Sequence, residues 1–225
     1  MEKTPKTNLH HWSPGKILAS SLWGVVLLGL SLLINYQAGV YATNHASNPV
    51  NDLILDRIPT YDVVPIFFYG LIPLFALVAI LAALRPTRIP FVLKSISLFV
   101  LIRSFFIILT HVGPSLQQTP LDNHGLIVNK FTFTGDLFFS GHTGIPFLMA
   151  LVFWDQKILR WIFLGGSVFF GTVVLLGHLH YSIDVFSAFF ITFGIFHLAV
   201  RFFERDYHLL RAPKPVGAFS AQKKP

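Results

Sequence analysis

The chain reads Gly-Asp-Leu-Phe-Phe-Ser-Gly-His-Thr at positions 135–143 and His-Leu-His-Tyr-Ser-Ile-Asp-Val at positions 178–185. Two apolar runs, separated by a short charged turn at 155–157, connect these polar clusters. Each run is long enough to cross a bilayer, so both clusters should return to the same membrane face. The stretch 135–185 therefore predicts a polar site at one face of a membrane protein.

The composition of the whole chain agrees with this interpretation. Of 225 residues, 53% are hydrophobic and 12% are charged, whereas a soluble domain carries about 25% charged residues. Cysteine is absent, which excludes disulfides and thiolate metal sites. The net charge of +7 could suggest a nucleic-acid partner, but the basic residues flank apolar segments as they do in membrane proteins. We therefore expect the chain to be embedded in a lipid bilayer and to bind no nucleic acid.

The apolar runs predict an all-α membrane protein with six transmembrane helices. A six-span domain of residues 17–203 is expected between a cytoplasmic tail, 1–16, and a basic, disordered cytoplasmic tail, 204–225. A cleaved signal peptide is the competing interpretation of the first run, which is too long for one. The predicted spans cover about residues 17–41, 63–84, 89–112, 137–154, 158–177 and 180–203.

The distribution of lysine and arginine predicts the orientation of these spans. An even number of spans places both termini on one side, and fourteen of the 17 basic residues fall on that side. Only Arg57 and Lys130 fall on the opposite side, and Arg103 lies inside a span. Because basic residues concentrate on the cytoplasmic side, both termini should be cytoplasmic. The cluster with His142 and His180 should then face the outside or a lumen.

The residue types in the cluster suggest phosphoryl chemistry on a lipid. His180 and Asp184 are four residues apart, so on a helix they share one face. A carboxylate that accepts the Nδ1 proton of an imidazole leaves Nε2 as a nucleophile. His142, on another helix, could protonate a leaving alkoxide. The competing interpretation of His180 and Asp184 is a capping or interfacial pair.

Two further features could hold a phosphate. Ser140, Gly141 and Thr143 lie where a helix is expected to begin, and exposed backbone N–H groups at a helix start favour anions. Arg103 lies within a span, where it could bind a lipid phosphodiester or form a structural ion pair. Zinc bound by the histidines and Asp184 is a less favoured alternative.

The two histidine motifs resemble those of the lipid phosphatase/phosphotransferase (type 2 phosphatidic acid phosphatase) superfamily. The chain looks most like the sphingomyelin synthase branch, whose Gly-Asp-x-x-Phe-Ser-Gly-His-Thr motif matches residues 135–143. The branch motif His-x-His-Tyr-(Ser/Thr)-x-Asp-Val matches residues 178–185. More loosely, residues 58–62 and 103–114 resemble two other segments of that branch, and its six-span layout covers most of residues 17–203.

This resemblance implies a transfer of a phospho-headgroup from a glycerophospholipid to a lipid hydroxyl such as that of ceramide. His180 would form a phosphohistidine, Asp184 would orient it, and His142 would act as acid and then as base. No metal or other cofactor is expected, and the sequence does not specify protein partners. Asp136 occupies the acidic position of the motif, and the alternative for Asp136 is an N-cap or first-turn carboxylate of the fourth helix. The resemblance and the chemistry together assign substrate-binding or supporting roles to Asp136, Ser140, Gly141, Thr143, Arg103, His178 and Tyr181.

The chain also departs from the family pattern. The phosphatase branch carries Ser-Arg ahead of its last histidine, where this chain has Val173 and Val174. The synthase branch usually has an acidic residue at the position of Leu179, so the headgroup is left open. A lipid phosphate phosphatase or a phospholipase C-like hydrolase is the alternative within the same chemistry. A membrane transporter or scaffold is the alternative outside it, although no internal repeat typical of transporters is visible.

Overall fold

The structure is a computed structural model that describes residues 13–120 and 133–212, and within these ranges the chain forms helices and no strand. Short 3₁₀ turns occupy Leu55–Arg57 and Pro86–Arg88. The α-helices are α1 (Pro14–Asn44), α2 (Val64–Tyr69), α3 (Ile72–Leu84), α4 (Ile89–Leu109), α5 (Gly141–Val152), α6 (Lys157–Leu176), α7 (Ser182–Phe202) and α8 (Glu204–Arg211).

In the part of the chain that the structure describes, five helical stretches are long and apolar enough to cross a membrane. They coincide with five of the six predicted spans and support a multi-pass helical membrane protein. They are Pro14–Asn44, Val64–Leu84, Pro86–Leu109, Lys157–Leu176 and Ser182–Phe202.

The predicted fourth span differs most from the structure. Helix α5 has 12 residues, or about 18 Å at 1.5 Å per residue. It begins four residues after the approximate start of the predicted span, 137, and at the place where Ser140, Gly141 and Thr143 were expected to begin a helix. Residues 137–140 are not helical because their backbone groups bond elsewhere. Arg103 donates to the carbonyl oxygen of Phe139, and the N–H of Ser140 donates to Asp184. The helix begins only after Ser140, its N-cap.

The second span is broken into α2 and α3 at Gly70 and Leu71. Pro73, near the start of α3, has no N–H with which to continue the helical ladder from α2. A Cβ atom at Gly70 would lie 2.7 Å from the ring of Phe170, so glycine permits the close approach of α2 to α6. In the most apolar 18-residue stretch of this span, only 6% of the residues are buried inside the protein, against 50% in the span that contains α4. The second span is therefore loosely attached to the bundle.

Helix α4 is the centre of the bundle. Helix α1 packs along it, and α5 and α7 also contact it. Phe91 and Phe99 of α4 are completely buried among side chains of α5, α6 and α7. A Cβ atom at Gly144 would lie 2.6 Å from the Phe99 ring, so this glycine lets the first turn of α5 approach α4. The helix that carries His142 is thus seated against the central helix of the bundle.

A buried polar cluster joins three helices at the end of the bundle away from His180. The ammonium of Lys94 contacts Asp206 Oδ2 at 2.6 Å and Ser20 Oγ at 2.7 Å. Ser20 in turn donates to Asp206 Oδ1 at 2.8 Å. This cluster explains why residues 204–211 form α8, where the sequence predicted a disordered tail. The rest of that tail from 213, the first tail up to residue 12, and 121–132 lie outside the described residues.

Candidate active site

The two histidine motifs meet at the starts of α5 and α7. The backbone N–H of Ser140 donates to the carbonyl oxygen of Asp184 at 3.0 Å. Arg103, near the end of α4, reaches the same place. The prediction that both motifs come together at one end of the helices is therefore what the structure shows.

His180 and Asp184 form a buried pair one helical turn apart. The Nδ1 atom of His180 lies 3.5 Å from Oδ2 of Asp184, and both residues are at most 5% exposed. Oδ2 also accepts a hydrogen bond from the N–H of Tyr181 at 2.9 Å, which fixes the carboxylate. The 3.5 Å contact is longer than a hydrogen bond, and Nδ1 has no hydrogen-bond partner. Catalytic hydrogen bonds are often long until the substrate binds, so the pair can perform the orienting role that the sequence suggests.

His142 is the second residue of α5 and lies under the side chain of Phe67. Its Nε2 atom lies 3.0 Å from the carbonyl oxygen of Phe67. The two rings are stacked, with centroids 4.1 Å apart. Since a carbonyl can only accept, this contact requires a proton on Nε2 and leaves Nδ1 as the nitrogen that can take up and release a second proton. His180, Arg103 and Asp136 all lie within electrostatic range of His142.

Arg103 is committed to an ion pair with Asp136. Its Nη2 lies 2.8 Å from Oδ1 and its Nη1 lies 2.9 Å from Oδ2 of Asp136, a bidentate arrangement. Its Nε also donates to the carbonyl oxygen of Phe139 at 2.7 Å. Of the two interpretations of Arg103, the structure shows the ion pair, and this pair shapes the loop before α5. The N-cap alternative for Asp136 was wrong, because Ser140 caps that helix.

Ser140 and Thr143 use their side chains within the protein. Both are completely buried. Ser140 Oγ accepts from the N–H of Thr143 at 3.4 Å, and the Thr143 hydroxyl donates to it at 3.2 Å. By helix geometry the N–H groups of Gly141 and His142 have no acceptor within α5. An anion at this helix start would therefore meet the backbone of those two residues.

Tyr181 holds loops together rather than presenting its hydroxyl. The hydroxyl donates to the carbonyl oxygen of Gly113 at 2.8 Å and accepts from the N–H of Val50 at 3.2 Å. Burial raises the pKa of Tyr181, which keeps the hydroxyl protonated and able to donate. Its surroundings assign it to the framework of the site.

Asp52 is a site residue that sequence reasoning missed. Its Oδ2 accepts from the N–H of Ser182, the first residue of α7, at 2.7 Å. Its Oδ1 accepts from the N–H groups of Ile54 and Leu55 at 2.9 and 3.1 Å. An aspartate before a turn is a recognisable local signal. Nothing in the sequence links position 52 to position 182.

His178 has an unusual conformation. It is the one non-glycine residue with a positive φ (51°) among the residues described. It is 2% exposed, and neither ring nitrogen has a hydrogen-bond partner.

The structure lends no support to the zinc alternative. Within residues 13–120 and 133–212, no three His, Asp or Glu side chains converge as they would around a metal ion.

A buried histidine–carboxylate pair and a second histidine at the starts of two helices define the class: a helical, multi-pass membrane protein with a polar site at one end of its bundle. Residues 134–201 match the family model described as PAP2 superfamily C-terminal. The match covers both histidine motifs and supports placing the chain in the type 2 phosphatidic acid phosphatase superfamily, as the sequence predicted. Members of that superfamily are in general phosphatases or phosphotransferases, so the match supports an enzyme of lipid metabolism. No curated protein and no solved structure gives a significant match.

Proposed function

We propose that this protein is a membrane-embedded phosphotransferase that moves a phospho-headgroup from a glycerophospholipid to a lipid hydroxyl, such as that of ceramide. The observation that supports this most is the buried His180–Asp184 pair, 3.5 Å apart, beside a second helix that carries His142. One histidine with an orienting carboxylate and a second histidine that can release and take up a proton are the two groups that a double displacement at phosphorus needs.

In the first half of the reaction, Nε2 of His180 attacks the phosphorus of the donor. A bond forms between Nε2 and phosphorus, and the bond from phosphorus to the glycerol oxygen breaks. His142, in its imidazolium form, gives one proton to that oxygen and becomes neutral, and the oxygen leaves as the hydroxyl of diacylglycerol. The carboxylate of Asp184 stabilises the positive charge that develops on His180.

In the second half, the acceptor hydroxyl attacks the phosphohistidine. His142, now neutral, takes the proton of that hydroxyl. A bond forms between the acceptor oxygen and phosphorus, and the bond between phosphorus and Nε2 breaks. Both histidines return to their starting states.

Two observations favour a lipid acceptor over water. Ser140, Thr143, His180 and Asp184 are all buried, so the site is shielded from bulk solvent. Val173 and Val174, at the positions where the phosphatase branch has Ser-Arg, pack with Val63 and Val64 in an apolar cluster. That cluster cannot hold the free phosphate dianion that a phosphatase handles.

The test is a product analysis with purified protein. Mixed micelles would contain phosphatidylcholine, phosphatidylethanolamine, phosphatidic acid and ceramide, with and without EDTA, and lipids would be identified by mass spectrometry. We expect a phospho-headgroup on ceramide and equal amounts of diacylglycerol, with no effect of EDTA. His180→Ala should abolish both products, whereas His197→Ala, an exposed histidine on the same helix, should not.

Other outcomes would change the assignment. Diacylglycerol with a free phospho-headgroup would indicate a phospholipase C-like hydrolase. Release of inorganic phosphate from phosphatidic acid would indicate a phosphatase. No product from any of these lipids would contradict the enzyme itself. Loss of activity with EDTA and its recovery with zinc would contradict the metal-free histidine mechanism and indicate a metal-assisted one.

A further inference from the structure

The turn between α6 and α7 holds His178 in a conformation that suits glycine better. Its φ of 51° lies in the left-handed region, where a Cβ atom crowds the backbone. Non-glycine residues in this region persist only when their surroundings force them, and such residues concentrate at functional sites. If the turn needed only its shape, glycine would serve it better.

Hydrogen bonds from distant segments keep this turn in place. The N–H of Tyr61 donates to the carbonyl oxygen of Leu176 at 2.8 Å. The N–H of Thr119 donates to the carbonyl oxygen of Gly177 at 3.0 Å. Two separate loops thus fix the backbone immediately before His178, which explains how the unfavourable φ is maintained.

The imidazole of His178 is buried without any hydrogen-bond partner. Only 2% of the residue is exposed, and neither Nδ1 nor Nε2 has a partner. Buried polar groups are nearly always hydrogen-bonded, because an unsatisfied donor or acceptor costs free energy. A structural histidine in a core would bond at least one nitrogen, and even the exposed His197 does so with the carbonyl oxygen of Phe193. The two open nitrogens of His178 point to a ligand.

The position of His178 indicates which ligand. It lies two residues before His180, the residue to which the proposed function assigns attack on phosphorus. The guanidinium of Arg103 is already engaged by Asp136 and by the carbonyl oxygen of Phe139. Val173 and Val174 supply no polar group. Apart from the backbone N–H groups of Gly141 and His142, a phosphate bound at His180 therefore finds no hydrogen-bond donor among these residues.

We propose that His178 donates an N–H to a non-bridging phosphate oxygen of the donor lipid. This inference rests on the proposed function, since it takes a phospholipid as the ligand of the site. It adds that His178 is a binding residue for the phosphodiester, and that the strain of its backbone is maintained for that contact.

The test separates binding from stability. The probe is a phosphonate analogue of phosphatidylcholine in which a CH₂ group replaces the glycerol oxygen on phosphorus, so that it binds but cannot react. His178→Gly removes the imidazole and relieves the positive φ, and His178→Asn keeps a residue that tolerates this region. His111→Asn, at an exposed histidine, is the control.

We expect the glycine variant to unfold at the same or a higher temperature than the wild type. It should bind the analogue about 10-fold to 100-fold more weakly, the range for one hydrogen bond to a charged group. The asparagine variant should bind with intermediate affinity. The His111 control should bind as the wild type does.

Equal binding by the wild type and both His178 variants would overturn the inference while leaving the proposed transfer reaction intact. A glycine variant that unfolds at a lower temperature, together with an asparagine variant of full affinity, would show a structural role and also overturn it. If the wild type neither binds the analogue nor transfers a headgroup in the product analysis, the proposed function itself fails.

Discussion

The backbone N–H of Ser140 is hydrogen-bonded to the backbone carbonyl oxygen of Asp184 across the starts of α5 and α7. Because both partners are main-chain atoms, no side-chain substitution removes this bond. The two helices should therefore keep their relative position when His142 or His180 is replaced. Losses of activity in such variants then report on chemistry.

The first prediction divides the work between the two histidines. His180→Ala should abolish attack on phosphorus with any donor. His142→Ala should fail with natural lipids, whose alkoxide leaving group needs a proton, and should recover in part with a donor that releases a phenolate. His142→Ala protein denatured at alkaline pH should then carry a phospho-adduct that acid treatment removes, measurable by intact-protein mass spectrometry in neutral or alkaline solvent.

The control for this experiment is the double variant, which should carry no adduct. An adduct that persists without His180 would refute the nucleophile assignment. Rescue of His180→Ala by the phenolate donor, with no rescue of His142→Ala, would exchange the two roles.

A second prediction concerns the cover over His142. Removing the Phe67 ring removes the stacking contact at 4.1 Å, so Phe67→Ala should make His142 more accessible. We expect a several-fold faster modification of His142 by diethylpyrocarbonate, followed by peptide mass spectrometry. Tyr69→Ala, at an exposed position of the same short helix, is the control. An unchanged rate in Phe67→Ala would show that the ring does not limit access.

The third prediction concerns the Arg103–Asp136 pair, whose side chains are 10% and 17% exposed. Removing one member of a buried pair leaves an uncompensated charge, which costs about 3–5 kcal/mol. Arg103→Ala and Asp136→Ala should each reduce the free energy of unfolding strongly, and the double variant should cost much less than their sum. The measurement is a double-mutant cycle by denaturant titration in micelles.

The exposed pair Asp155–Arg211 provides the comparison for that cycle. Its cycle should give a coupling of only about 0–1 kcal/mol. Additive effects at Arg103 and Asp136 would mean that the two residues stabilise the loop independently.

The fourth prediction uses the acid dependence of Asp52. Burial opposes ionisation of this carboxyl, but hydrogen bonds from the N–H groups of Leu55, Ser182 and Ile54 outweigh it and lower its pKa from the usual 3.8. A lowered pKa means that the carboxylate stabilises the fold above about pH 4. This contribution is lost as the pH falls through the lowered value.

Asp52→Ala should therefore reduce the free energy of unfolding by about 0.5–2 kcal/mol at pH 7. The difference from the wild type should shrink below about pH 4, when unfolding temperatures are compared across pH. Asp62→Ala, at an exposed carboxylate that accepts from the N–H of Val64, is the matched control. A difference that stays constant down to pH 2 would exclude the carboxylate charge as the cause.

The fifth prediction concerns orientation, which rests on the basic residues alone. A single cysteine at Asn51 should react with an impermeant maleimide from outside intact cells. One at Lys157 should react only after permeabilisation. Both positions are exposed, and the chain has no other cysteine to give a background signal. The reverse labelling pattern would show that the protein has the opposite orientation in the membrane.

How far the sequence predicted the site depends on the range of each interaction. The pairing of His180 with Asp184 was predictable because one helical turn separates them. The approach of His142 to His180 was predictable because the two apolar runs between them bring the chain back to the same end of the bundle. Both inferences need only local geometry and the length of a span.

Other contacts were not predictable because they join distant parts of the chain through specific packing. The Arg103 side chain had two equal interpretations until Asp136 was found beside it. The bond from Asp52 to the start of α7 spans 130 residues. Helix α8 was missed because its composition is polar, and Lys94 and Asp206 become partners only in the folded bundle.

The placement of Arg103 and Asp52 bears on any attempt to use the two histidine motifs elsewhere. The segment that matches the family model, 134–201, contains both histidines and Asp184. It contains neither the guanidinium that shapes the loop before α5 nor the carboxylate that holds the start of α7. Grafted into another scaffold, this segment would carry the two histidines and Asp184 without the residues that position them. The smallest transplantable unit extends at least from the turn at Asp52 to the end of α7.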